Sequence, residues 1–384
     1  MAGALDKVRI LDLTGVGMGP MATQMLGDMG ADVIKVESAA GDVFRHVTPQ
    51  RHAKMSHAHL NFNRNKRSAV IDAKTAEGRQ QLLALLEDTD VLVSNMRAPA
   101  MRRLGLDYAS LEQRFPRLIY CACYGYSESG PYAGRPAIDD TIQAVSGLAW
   151  LQGGAGAGAG APEYVKSVVA DKVVGLYVAQ AVASALYARE RSGVGQAIEV
   201  PMFECMVAFM ALEHLAGLTY VPPEGNAGYA RLLNDYRRPF RTQDSYMSVV
   251  PYTDAQWQRF FALVGHPEMA QDPRYQTLNS RSRHFPELYR FVEESLAGRT
   301  TAAWSEALAD ADIPFAPVNS FDDLLRDPHL AATQFWHESE HPTEGRIVQA
   351  GLPVRFSRTP GQVQRHAPSL GEHTDEILGG LRRP

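Results

Sequence analysis

Residues 8–37, VRILDLTGVGMGPMATQMLGDMGADVIKVE, decide the fold. The opening Val8-Arg9-Ile10-Leu11-Asp12-Leu13 is short and mostly apolar, as expected of a strand buried on both faces. Gly15, Gly17 and Gly19 then interrupt any regular element, and Pro20 suits a first helical turn, where no backbone donor is needed. Val33-Ile34-Lys35-Val36-Glu37 reads as the next strand. Strand, turn, helix and strand in this order form a βαβ unit, which requires parallel pairing through a right-handed crossover.

The same alternation continues outward. Strands are expected at 68–71, 91–94 and 118–123, with a helix at 75–87, so the chain reads as α/β with a helix-covered parallel sheet. The run GGAGAGAG at 153–160 has too few side chains to pack and reads as a loop. A largely buried helix follows at 172–189, is stopped by Ser192-Gly193-Val194-Gly195, and leads to a returning strand at 197–200. Pro222, Pro223, Gly225 and Gly228 mark a linker. The expected organisation is a large domain at 1–200, a linker at 201–228, a small α+β domain at 229–318 and a closing segment at 319–384. Within the small domain a strand is expected at 246–251 and helices at 254–264, 285–296 and 301–311.

A chain of 384 residues exceeds one ordinary core, consistent with two units. The 45% hydrophobic and 21% charged fractions exclude a disordered chain, and a net charge of −5 gives no general attraction to nucleic acid or anionic membrane. A small-molecule partner is expected. Cys121, Cys123 and Cys205 lack zinc-site spacing and read as reduced core residues. With no uninterrupted apolar run of about 18 residues, the expected location is the cytoplasm.

The glycines after the first strand resemble a dinucleotide fingerprint, with Glu37 as its acidic partner. The spacing is G-x-G-x-G-P, however, and Pro20 removes a donor from the turn where a pyrophosphate would sit. Two further clusters, Asn63-Arg64-Asn65-Lys66-Arg67-Ser68 and Ser94-Asn95-Met96-Arg97 followed by Arg102 and Arg103, read either as phosphate ligands or as solvated edges. Asp171, before an apolar helix, reads as a helix cap or as a nucleophile, and the two roles are compatible because helix-start N–H groups orient a carboxylate. His214 and His373 are possible bases, His214 lying within an apolar helical stretch.

Taken together, these segments resemble the family III coenzyme A transferases, the CaiB/BaiF family, from Val8 to Leu378. The resemblance is carried by Ile10-Leu11-Asp12-Leu13-Thr14 with Gly19-Pro20, by Gly30-Ala31-Asp32-Val33-Ile34-Lys35-Val36-Glu37, and by Asn65-Lys66-Arg67-Ser68. Asp90-Val91-Leu92-Val93-Ser94-Asn95, Leu104-Gly105-Leu106-Asp107-Tyr108, Gly125-Tyr126 with Gly130-Pro131-Tyr132, RERSGVGQAIEV at 189–200 and LGEHTDEIL at 370–378 complete it. The resemblance implies a Rossmann-like large domain, a small domain, a tail returning to the large domain, and a homodimer of two interlocked rings. It implies reversible transfer of coenzyme A from an acyl-coenzyme A donor to a carboxylate acceptor, with no metal and no permanently bound cofactor. Asp171 matches the catalytic aspartate, and the Gly17 turn would stabilise an oxyanion. Val16 matches the coenzyme-binding turn, and Lys66, Asn95 and Arg103 match contacts to adenosine diphosphate. Arg67 and Arg97 are added by charge, and Met96 replaces an aromatic residue common in the family.

Three departures bear on substrate. Formyl-coenzyme A transferases carry glutamine at the position of Gly17 and a glycine-rich small-domain loop, whereas this chain has Arg231, Arg237, Arg238 and Arg241 there. Oxalate and formate are therefore not expected, and the arginines read as recognising a second carboxylate or as a solvated loop. α-Methylacyl-coenzyme A racemases of the same fold carry His-Asp where this chain has Ile138-Asp139, which removes one of the two bases that racemisation needs. A racemase and a non-catalytic coenzyme-binding protein remain the alternatives.

Overall fold

The computed structural model of the chain describes residues 3–153 and 160–381. Of the expected loop at 153–160, residues 154–159 lie outside the described residues. Six strands form one parallel sheet: β1 (Arg9–Leu13), β2 (Asp32–Glu37), β3 (Lys66–Val70), β4 (Val91–Ser94), β5 (Ile119–Tyr124) and β6 (Ala197–Pro201). Their order is β3-β2-β1-β4-β5-β6. The chain direction across the sheet reverses between β1 and β4, which pair from Ile10 with Val91 to Leu13 with Ser94. In such a sheet the loops leaving β1 and β4 part to opposite sides and open a crevice beyond their carboxyl ends.

The strand interiors are apolar on both faces because both faces are covered. Ile10, Val33, Val91, Val93, Ile119 and Cys121 point to one side, under helix α1 (Met18–Asp28) and the long helix Val169–Ser192. Leu11, Ile34, Val36, Leu92 and Tyr120 point to the other, where Leu82, Leu85 and Leu86 of the helix Ala76–Leu86 and Ile377 of the tail cover them. Each fully buried aliphatic side chain here contributes about 1.5–3 kcal/mol. The long helix spends its Ala170, Val174, Val178 and Val182 stripe on the first of these cores. It is long and apolar enough to cross a bilayer by composition, but that stripe is buried in protein.

The chain forms two compact units, one of Met1–Ala149, Tyr164–Met210 and His329–Pro384, the other of Trp150–Glu163 and Ala211–Pro328. In the first unit the tail adds a hairpin the sequence reading did not contain, β10 (Trp336–His341) with β11 (Gly345–Ala350), after the three strands of the second unit. Gly345 turns it at φ 65°. The tail is pinned to β3 by one backbone and one side-chain bond: the His373 N–H donates to Ser68 O at 2.9 Å, and the Val70 N–H donates to the Thr374 Oγ1 hydroxyl at 3.0 Å. The His373 ring accepts from the Ser68 N–H, so this histidine serves the docking of the tail.

The second unit holds a small antiparallel sheet of β7 (Phe240–Arg241), β8 (Tyr246–Val249) and β9 (Phe315–Pro317). Its core is aromatic, with Trp257, Phe260, Phe261, Tyr289 and Trp304 buried together, and the Trp304 indole N–H donates to Leu296 O at 2.9 Å. The stretch 201–228 opens with the helix Met202–His214, in keeping with the apolar helical stretch read around His214, and Met202 and Met206 of this helix are buried. Its outer face leaves Phe209 and Leu212 exposed, the latter by 86%.

Candidate active site

The long helix starts at Val169, three residues earlier than the position of Asp171 suggested, because Ala170 is fully buried and belongs to the core stripe. Asp171 therefore lies inside the first turn and makes no side-chain cap. Asp171 and Gly175, one turn apart, share the helix face that meets α1. A Cβ at Gly175 would sit 3.0 Å from Met18 O, and a Cβ at Gly17 would sit 2.6 Å from Asp171 Oδ2. Two missing side chains thus let the carboxylate rest against the start of α1, where N–H groups lack helical partners.

The turn before α1 is held by groups distant in sequence. Asn95, just after β4, accepts from the Gly15 N–H with its Oδ1 and donates to Gly15 O with its Nδ2, at 3.1 and 2.9 Å, spanning the point where the sheet reverses. The Val16 N–H donates to Asp42 Oδ1 at 2.9 Å. Val16 is left-handed at φ 69°, a conformation β-branched residues rarely adopt, stored here at about 1–3 kcal/mol. Lys35, fully buried, donates to Thr14 O at 2.7 Å and to Asp42 Oδ2 at 3.1 Å. The Gly17 N–H has no acceptor among the described residues.

Asp171 is buried, and that burial together with the neighbouring Asp139 charge pushes its carboxyl up to about 7, against the opposing pull of the Met18 N–H. Asp139, also buried, accepts from the Asp171 N–H at 2.9 Å through Oδ2 and from Gln143 through Oδ1. Sequence reading considered Asp139 only as the remnant of a His-Asp pair and missed its contact with Asp171. The two lie 32 positions apart, so no local pattern could have shown it.

A second feature lies at the same edge of the sheet, a cavity of about 480 Å³ beyond the ends of β1 to β4. Leu13, Val36, Ile71, Met96 and Leu104 form apolar walls, Lys74 and Arg103 bring positive charge, and Glu37 and Asp72 are the carboxylates of the lining. Of the expected coenzyme contacts, Met96 and Arg103 line this cavity, Asn95 adjoins it by fastening the Gly15 turn, and Arg97 is exposed at the start of the helix Ala98–Leu104. Sequence reading did not single out Lys74, Ile71 or Ser38 of this wall.

Lys66 and Arg67 are corrections. Lys66 is fully buried, and its ammonium donates to Asp12 Oδ2, Pro20 O and Asn63 Oδ1 at 2.9–3.0 Å, which uses all three protons. Arg67 chelates Asp32 and reaches Glu376 of the tail. Both residues begin β3, and Arg67 meets Asp32 at the first residue of β2, so its guanidinium faces the amino end of the sheet. Their neighbours are used in the same way: Arg64 chelates Asp28, and Asn65 binds Asp28 and the tail at Gln362 and Gln364. Glu37 is likewise committed, to Arg45 through two bonds of 2.7 Å, so it cannot hold a ribose.

A model of the family described as CoA-transferase family III matches residues 5–374. The human succinyl-CoA:glutarate CoA-transferase is 32% identical over 99% of this chain and 86% of its own length. The formyl-CoA:oxalate CoA-transferase of Rhodopseudomonas palustris is 31% identical over 98% of this chain and 93% of its own. Among solved structures, a CAIB/BAIF family protein from Brucella suis superposes with a TM-score of 0.84 at 30% identity, covering 100% of both chains.

Proposed function

The chain belongs to CoA-transferase family III, and on that premise we propose that it moves coenzyme A between an acyl thioester and a free carboxylate through covalent intermediates on Asp171. The observation that carries this reading is a buried carboxylate resting against the Gly17 turn, beside an N–H that has no other acceptor. An Asp171 oxygen attacks the thioester carbonyl, and the carbonyl oxygen takes up the negative charge, which the Gly17 N–H stabilises. Collapse breaks the C–S bond and gives an acyl-aspartyl anhydride with coenzyme A thiolate. The thiolate then attacks the aspartyl carbonyl, which releases the donor carboxylate and leaves an aspartyl thioester. An acceptor carboxylate attacks that thioester, and the freed thiolate takes the new acyl group, restoring the Asp171 carboxylate.

In this reading the 480 Å³ cavity receives the nucleotide end of coenzyme A, with Arg103 and Lys74 answering phosphate and Met96 lying under the base. Val16 and Asn95 shape the turn between nucleotide and thioester, and Arg97 adds charge at the rim. A homodimer of interlocked chains is part of the proposal, and the exposed Phe209, Leu212 and Val221 offer apolar surface to a partner chain. A racemase is disfavoured because exposed Ile138 offers no base, and both Asp139 oxygens are already engaged.

Asp171→Asn tests the reading. The variant is expected to remain folded, to bind coenzyme A and to lose exchange by at least about 10⁴-fold, since it keeps the shape and removes the nucleophile. Exchange at the wild-type rate would refute it.

A further inference from the structure

The group that holds Asp139 against the Asp171 N–H is Gln143. The two lie one turn apart on the helix Asp139–Val145, so their side chains share a face, and Ile142 of the same helix joins the core lined by the long helix. Gln143 is fully buried, and every polar atom of its amide is used. Its Nε2 donates to Asp139 Oδ1 and, at 3.2 Å, to Ser167 O, while its Oε1 accepts from the Val165 N–H at 2.9 Å. The Val165 donor fixes which end of the amide is oxygen, so the Nε2 protons face Asp139 and Ser167.

The segment 165–168, which leads into the long helix, is exposed or half-buried. Its own bonds are local: the Ser167 N–H donates to Val165 O and the Val169 N–H to Ser167 O, both at 2.7 Å, and the Lys172 ammonium donates to Ser167 Oγ. Gln143 joins this segment to the interior at residues 165 and 167. One amide therefore fixes both the start of the helix that carries Asp171 and the place of the negative charge beside it. Asp139 is the charged group facing Asp171, since α1 presents backbone N–H groups there and Lys172 turns to Ser167. A glutamate at 143 would lack both donors and would set a second carboxylate against Asp139 Oδ1. We propose that Gln143 is a positioning residue for the transfer, holding Asp139 and the approach to the long helix so that Asp171 meets the thioester in one place and one electrostatic setting, a claim that rests on Asp171 being the nucleophile.

The test is the pH profile of exchange in the wild type, Gln143→Met, Asp139→Asn and the double variant, each checked for fold by its melting temperature. Methionine is close to glutamine in length and donates nothing. Without the Nε2 donor the charged form of Asp139 is less favoured, so Asp171 ionises more readily, and the midpoint of kcat/KM is expected to fall from about 7 by about one pH unit. The high-pH plateau of kcat is expected to fall about 10- to 100-fold, as a displaced nucleophile requires, with coenzyme A binding unchanged. In the Asp139→Asn background, Gln143→Met should leave the midpoint where Asp139→Asn alone puts it, because Gln143 acts on the charge through Asp139. Gln143→Asn, a shorter amide, is the milder variant should the methionine not fold, and its midpoint is expected to move the same way by less. A lowered melting temperature with midpoint and kcat unmoved, or midpoint shifts that add in the double variant, would overturn the inference and leave the nucleophile untouched. Wild-type exchange in Asp171→Asn would instead sink the nucleophile reading, whatever Gln143 does.

Discussion

As the proposed nucleophile, Asp171 carries an electrostatic cost. Burial and Asp139 hold its carboxyl near 7, so at neutral pH a substantial fraction is protonated and inert. The sign for catalysis follows: kcat/KM for exchange should rise with pH through about 7 as the nucleophile ionises. Asp139→Asn removes the neighbouring charge while keeping an oxygen for the Asp171 N–H. Its profile should shift part of the way toward the ordinary carboxylate range near 4, since burial, the larger cause, remains. Initial rates across pH 5–9, on the order of the window two such groups span, check this. A midpoint unmoved in the variant would contradict the account. The sequence offered Asp171 as a cap or a nucleophile and could not separate the two. Its position inside the helix and its contact with Gly17 favour the second role and depend on the fold.

The turn Thr14–Met18 and the first turn of the long helix form one device, and its tolerance for added atoms is small. In Gly17→Ala the new methyl would meet Asp171 Oδ2 at 2.6 Å. Gly17 itself has φ −108°, so the penalty is steric contact with the carboxylate and not backbone strain. Displacing a nucleophile by about 1 Å is enough to cost roughly 100-fold in kcat. The variant should show that loss with coenzyme A binding little changed, and steady-state kinetics beside direct binding would reveal the opposite pattern if Gly17 served only the coenzyme. Strands and helices of both units were readable because their apolar runs are bounded by Gly, Pro and Asn. In the second unit, Phe285–Leu296 matches the expected helix at both ends. The hairpin β10–β11 escaped because Trp336-His337-Glu338-Ser339-Glu340-His341 is polar and half-exposed, without an apolar stripe to betray it.

Across the first unit, six buried charges tie the sheet to its loops: Asp12 with Lys66, Lys35 with Asp42, and Glu37 with Arg45. Lys66 and Asp12 are 54 positions apart, so a local reading saw a basic cluster that was either a phosphate site or a solvated edge, and the family resemblance gave Lys66 to the coenzyme. The network dictates the response to acid. Burial alone would raise the Asp12 and Glu37 carboxyls, but Lys66 and Lys35 hold Asp12 well below the usual range, and Arg45 with Lys35 brings Glu37 to about 2. Groups with depressed carboxyl pKa stabilise the fold above their unfolded values, 3.8 and 4.5, and lose that contribution as pH falls through the folded ones. His59, pushed down to about 3 by burial and Arg45, adds a loss beginning at its unfolded value of 6.5. Asp171 acts in the other direction, favouring the fold as it protonates from about 7 toward 3.8. Between pH 6.5 and 4.5 these two contributions largely offset each other, so the melting temperature should stay nearly level there and fall steeply below 4.5, and a flat profile down to pH 3 in calorimetry would count against the buried network.

The proposed mechanism stands on activation of the Asp171 carboxylate, first as an anhydride and then as a thioester. Incubating the protein with an acyl-coenzyme A donor, quenching with hydroxylamine and mapping peptides by mass spectrometry should reveal a hydroxamate at Asp171, present only when donor is added and absent in Asp171→Asn. Donor-dependent modification at another residue, or exchange that proceeds while Asp171 stays unmodified, would contradict the account.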